Sequence, residues 1–150
     1  MELTQHSDLI SEAPDRELMG SEPTAKPLFE RLGGIYGIAA AVDVLTARLY
    51  VNGAANANPV TAQFHGQNGQ PGFKFLVTAW SIEQTGGPKI YPGRDMREAH
   101  AHINVCQREF DIVASEVKTA LYHVNCPDQE LNEFMAIIES YRSMVVAPAV

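Results

Sequence analysis

Residues 85–100 run Thr85-Gly86-Gly87-Pro88-Lys89-Ile90-Tyr91-Pro92-Gly93-Arg94-Asp95-Met96-Arg97-Glu98-Ala99-His100. The Gly-Gly-Pro at 86–88 ends whatever helix precedes it, because glycine and proline both break helical periodicity. At the far end stand His100 and His102. On a strand, side chains two apart point the same way and could share zinc; on a helix they point nearly opposite ways, which argues against a shared ion there. No His-Glu-x-x-His arrangement accompanies them. Asp95 and Glu98 read most simply as a solvated helix face. Taken by itself, His100 is then a lone histidine, and a core or surface position is its default.

Working upstream, Gln70-Pro71-Gly72 is a helix start, since proline in the first turn loses no hydrogen bond. Phe73, Leu76, Val77 and Trp80 follow at i, i+3, i+4 and i+7, with Phe75, Ala79 and Ile82 apolar on another side. A helix apolar on two sides is buried between two things, one the core and the other a second protein layer or a large apolar ligand. Asn52-Gly53 and the Ala/Asn-rich stretch to Pro59 read as a loop. Before it, residues 39–50 place Val42, Leu45 and Leu49 on one face. Leu28, Phe29 and Leu32 form a short apolar patch stopped by Gly33-Gly34.

Downstream, Phe110, Val113, Ala114, Val117, Leu121 and Val124 form one helical stripe. Leu131, Phe134, Met135, Ile138, Tyr141 and Val145 form another. Pro127 followed by Asp128 and Glu130 starts the second with acids at the positive helix end. Few stretches alternate with period two. The class is all-α.

The chain has 150 residues, 45% of them hydrophobic, and a net charge of −7. That length suits one domain. Its acidity opposes sequence-blind binding to nucleic acid or anionic lipid. No apolar run approaches the ~20 residues of a membrane span. The first residues lack the basic and apolar regions of a secretory signal, so the expected location is cytoplasmic. Six of the 18 acidic and two of the 11 basic residues fall within 1–27, so this polar segment carries −4 and the remainder only −3. Residues 1–27 are expected to be a mobile extension, 28–146 the folded domain and 147–150 a tail.

Catalytic motifs are scarce. Cys106 and Cys126 form no Cys-x-x-Cys pair, and no Gly-x-Ser-x-Gly, P-loop or Gly-x-Gly-x-x-Gly occurs. Ser81, Ser115 and Ser140 have no evident base and acid partners. His6 lies in the polar segment, and His123 reads as a surface residue near a helix end. A chain without catalytic machinery of its own can take its chemistry from a cofactor.

The segment 85–100, with its Gly-Gly pair, Tyr-x-Gly-Arg turn and Met-x-x-Ala-His, resembles the EF-loop and F helix of group I truncated haemoglobins. Leu28-Phe29-Glu30-Arg31-Leu32-Gly33-Gly34 is similar to the family's shortened first helix. Residues 41–50 are similar to its B helix. Glu109-Phe110-Asp111 and Cys126-Pro127-Asp128 resemble the starts of its G and H helices. The resemblance covers about residues 28 to 146.

It implies a two-over-two helical sandwich around haem b, with His100 as the proximal iron ligand. The other ring nitrogen of His100 should then donate to a nearby carbonyl, while His102 points away. It further implies that Tyr50 occupies the distal position, where a phenol O–H given to a diatomic ligand slows ligand loss by ten- to a hundredfold on the ~1.5–3 kcal/mol of a charge-assisted bond. The plainer reading is that Tyr50 packs beside Leu49. An ungapped count from His100 puts Phe73, Leu76 and Val77 at distal positions often polar in the family. The same count puts His65 near a phenylalanine position against the haem. A two-residue slip would give that place to Phe64, leaving His65 as surface, distal donor or sixth ligand. Tyr91 and Arg94 are favoured for the propionates over Lys74, Lys89 and Arg97, and Met96 for the proximal face.

The function so implied is reversible binding of dioxygen, nitric oxide or carbon monoxide. The alternatives are a haem enzyme that oxidises nitric oxide or reduces nitrite with an external reductase, and a haem-free sensor or interaction module.

Overall fold

The structure is a computed structural model, and it describes residues 26–66 and 69–148. All but the last two residues of the proposed extension 1–27, His6 included, lie outside the described residues, as do the last two of the tail.

The described residues form α-helices joined by turns, with one isolated bridge between Val105 and Val146. In chain order the helices are α1 (Leu28–Arg31), α2 (Gly34–Leu49), α3 (Pro59–His65), α4 (Gln70–Gln84), α5 (Met96–His100), α6 (Gln107–His123), α7 (Asp128–Ser140) and α8 (Arg142–Val145). A 3-10 turn at Ala55–Ala57 precedes α3. Helix α2 packs on both α4 and α6, and α6 packs on α7, giving the expected all-α, two-over-two arrangement.

The amphipathic stripes account for this packing. Leu45 and Leu49 of α2, Trp80 of α4, Val117 and Leu121 of α6, and Leu131 and Phe134 of α7 make the main core. Ile38 and Val42 meet Ile82 of α4 in a smaller one, so α4 is covered on two sides as its sequence requires. Phe75 departs from that expectation. It is 59% exposed, because the second buried side runs through Ala79 and Ile82 and not through its own position.

Three boundaries differ from the sequence reading. Helix α2 begins at Gly34, five residues before the apolar run, because Gly33 adopts a φ of +94° and turns the chain directly from α1 into it. Helix α3 was not expected; Asn58 caps it through side-chain bonds from Val60 N and Thr61 N, with Pro59 at its first position. The stripe from Leu131 to Val145 is broken at Tyr141, which leaves the helix to set its ring edge-on to Trp80 (5.3 Å) and give its hydroxyl proton to Gln84. At the end of the chain, Ala147 N–H donates to Val105 O (2.8 Å) and α8 lies on α5. The carboxyl-terminal strap is thereby stitched to the segment following His100.

Candidate functional site

The turn 91–94 places α5. Tyr91 folds back so that its hydroxyl donates to Arg94 O at 2.6 Å. The ring lies over Gly93, where a Cβ would come within 2.4 Å of the hydroxyl oxygen, so this close approach requires glycine. Asp95 then caps α5 by accepting from Glu98 N (2.9 Å). The acid read from sequence as a solvated helix face therefore has a structural task.

At the end of α5, His100 Nδ1 lies 2.8 Å from Met96 O. A carbonyl can only accept, so Nδ1 carries the proton and Nε2 keeps its lone pair. This matches the expected carbonyl partner. Burial pulls the imidazole below the usual histidine range, partly opposed by the Met96 carbonyl, so the ring is neutral near pH 7. Met96 is half-buried against the core, and His102 is exposed. Among the described residues no group of three or more His, Cys, Asp and Glu side chains could hold a metal ion.

A second constellation lies where α2, the 3-10 turn, α3 and α4 meet. Tyr50, directly after α2, stacks on His65, with ring centroids 4.1 Å apart and planes at 20°. Phe73 is tilted against Tyr50 at 5.8 Å, and Phe64 meets Phe73 edge-on at 6.2 Å. His65 is thus partly buried against Tyr50. Burial lowers its pKa and raises that of Tyr50, so the imidazole is neutral and the phenol keeps its proton. The Tyr50 hydroxyl is buried and has no hydrogen-bond partner among the described residues. A buried donor without a partner costs ~1–3 kcal/mol, so this atom marks a place where an acceptor belongs.

Apolar side chains flank the same region. Phe64 is 46% exposed and Leu76 38%, with Phe73 and Val77 half-buried. A planar apolar group would cover such a surface. A partly open, mainly apolar pocket of about 320 Å³ shares Val77 with this surface and is lined also by Leu45, Trp80, Val117 and Ile138, with Arg31 and Asn125 among its polar residues. Of the residues considered for propionates, Tyr91 has its proton engaged within its own turn, Lys74 pairs with Asp43 (2.7 Å), and Arg94 is exposed without an ion pair among the described residues.

The sequence reading missed the residues that hold Tyr50. Glu116, nearly buried in α6, accepts from Arg48 Nε and Asn52 Nδ2, both at 2.7 Å, and so grips the chain on either side of Tyr50. Burial pushes the Glu116 carboxyl up, but its bonds from Asn52 and Arg48 prevail and hold it below the usual carboxylate range. Asn52 Oδ1 in turn accepts from Ala55 N. Asn56 bonds both Tyr50 and His65.

A family model described as bacterial-like globin matches residues 27–147. The chain belongs to this family and is a truncated globin. The truncated globin is 27% identical over 125 residues to the group 1 truncated hemoglobin of Tetrahymena thermophila, covering 83% of this chain and 95% of that one. Its fold matches the truncated hemoglobin of Tetrahymena pyriformis in its Fe(III) form, with a TM-score of 0.72 at 24% identity, covering 82% of this chain and all of the other. It also matches a 2/2 hemoglobin from a Synechococcus species, with a TM-score of 0.69 at 22% identity and coverage of 81% and 98%. Membership of a globin family implies haem binding. No helix among the truncated globin's described residues is long and apolar enough to cross a membrane.

Proposed function

We propose that this truncated globin holds haem b through His100 and reversibly binds a small diatomic gas, dioxygen foremost, beside Tyr50. The orphaned, buried Tyr50 hydroxyl carries this reading. Haem, when bound, supplies an iron with one position for an imidazole and one for a gas. His100 presents the Nε2 lone pair to a metal, with its orientation held by Met96 O. Tyr50 remains a protonated donor because burial disfavours the phenolate. Phe64, Phe73, Leu76 and Val77 supply apolar walls that exclude water. Arg94, without an ion pair among the described residues, offers a cation to a carboxylate, while Tyr91 acts by shaping the turn.

Titration of the purified chain with haemin tests the proposal. A Soret band should saturate at one haem per chain, and His100→Ala should abolish it or shift it unless imidazole is added. A chain that develops no such band would end the reading. Nitric oxide would be met by the same residues, and stopped-flow consumption of it by the oxygenated protein separates turnover from binding.

A further inference from the structure

We infer that Asn56 and His65 together form a clamp that aims the Tyr50 hydroxyl and thereby sets how long a distal gas stays bound; this rests on the distal reading of Tyr50 proposed above.

One amide makes both attachments. Asn56 Nδ2 donates to Tyr50 O at 3.1 Å, which fixes the amide's orientation, since a carbonyl cannot donate. Its Oδ1 is therefore an acceptor, and His65 Nδ1, 2.6 Å away, must carry the proton. The His65 ring so oriented lies flat on the Tyr50 ring at 4.1 Å. Tyr50 is thus held at its main chain by Asn56 and at its ring by His65, and His65 is held by the same Asn56.

The geometry matters because no described residue bonds the tip of the phenol. Its hydroxyl has no partner among the described residues, so the ring's direction is set wholly by its flanks. Hydrogen bonds weaken steeply as their angle departs from linear. A donor already aimed loses little freedom when an acceptor arrives, and one that must be ordered first binds less well. Asn56 and His65 are accordingly positioning residues that act through Tyr50.

The test is a double-mutant cycle on dioxygen dissociation from the haem-loaded ferrous protein, joined to a measurement on the haem-free chain. Asn56→Ala and His65→Ala should each speed dissociation by about two- to tenfold, the weight of one ordinary hydrogen bond. In a Tyr50→Phe background neither should add anything, because the hydroxyl they aim is gone. Equal acceleration in both backgrounds, or none in either, would overturn the clamp. So would a His65→Ala change from a six- to a five-coordinate resting spectrum, which would make His65 an iron ligand instead. In the haem-free chain, long-range proton–nitrogen NMR should show His65 as the Nδ1–H tautomer, lost in Asn56→Ala; an Nε2–H tautomer in the parent chain refutes the clamp. If Tyr50→Phe itself leaves dissociation unchanged, the distal reading fails; a Tyr50→Phe effect without a His65→Ala effect sinks only the clamp.

Discussion

His100 gives its Nδ1 proton to Met96 O, 2.8 Å away and one turn back in the same helix. The element that presents the imidazole therefore also sets its tautomer, and it spans only five residues, Met96–His100. A helix so short is far from stable alone. Its persistence depends on the Asp95 cap, the Tyr91–Arg94 turn and its contact with α8.

Asp95→Ala removes that cap, a change that costs helices about 0.5–2 kcal/mol. With α5 frayed, the His100–Met96 bond weakens and haem should leave several-fold faster, as followed by transfer to an excess of a competing apoglobin. An unaltered transfer rate would show that the turn and α8 hold the helix without the cap.

Tyr50→Phe should act in opposite directions on the two forms. In the haem-free protein it deletes a buried hydroxyl without a partner, so stability to urea should hold or rise by about 1 kcal/mol. In the haem-loaded ferrous protein dioxygen should dissociate about ten- to a hundredfold faster, as expected for loss of a charge-assisted bond. A marked fall in the stability of the haem-free variant would contradict the first half.

Glu116 makes acid stability informative. Its folded pKa lies below the ordinary value of 4.5, so its contribution is fully present above that value and is lost as pH falls through the lower, folded one. Glu116→Gln should lower stability at pH 7 by about 1–3 kcal/mol, less than for a fully buried pair because Arg48 is partly open to water. Urea unfolding from pH 7 to pH 3 should show the gap between the two proteins closing as the solution is acidified. A gap of constant width would mean that the carboxylate's charge contributes nothing.

The sequence made the long helices legible because each repeats its apolar residues at helical spacing. Phe73, Val77 and Trp80 lie on the main core, as do Val117, Leu121, Leu131 and Phe134. Helix α3 escaped the same reading because Pro59–His65 buries none of its residues and so carries no period; its signal was the capping pair Asn58-Pro59. The break at Tyr141 was hidden for the opposite reason. Val145 continues the apolar spacing beyond it, while the force that bends the chain, the Trp80 and Gln84 contacts, comes from residues some 60 positions earlier. In the site, His100 became conspicuous only through the motif preceding it. Asn56 and Glu116 could not be found by spacing at all, because their tasks exist only once the chain has folded residues 48–65 and 116 together.

The stitch between Ala147 N and Val105 O has a mechanical side. Tension applied to the carboxyl end would load that bond and, through α8, both its contact with α5 and the adjoining Tyr141 on Trp80. His100 closes α5, the helix on which α8 lies. An anchor or a bulky fusion joined after Val150 would therefore act as a lever on His100.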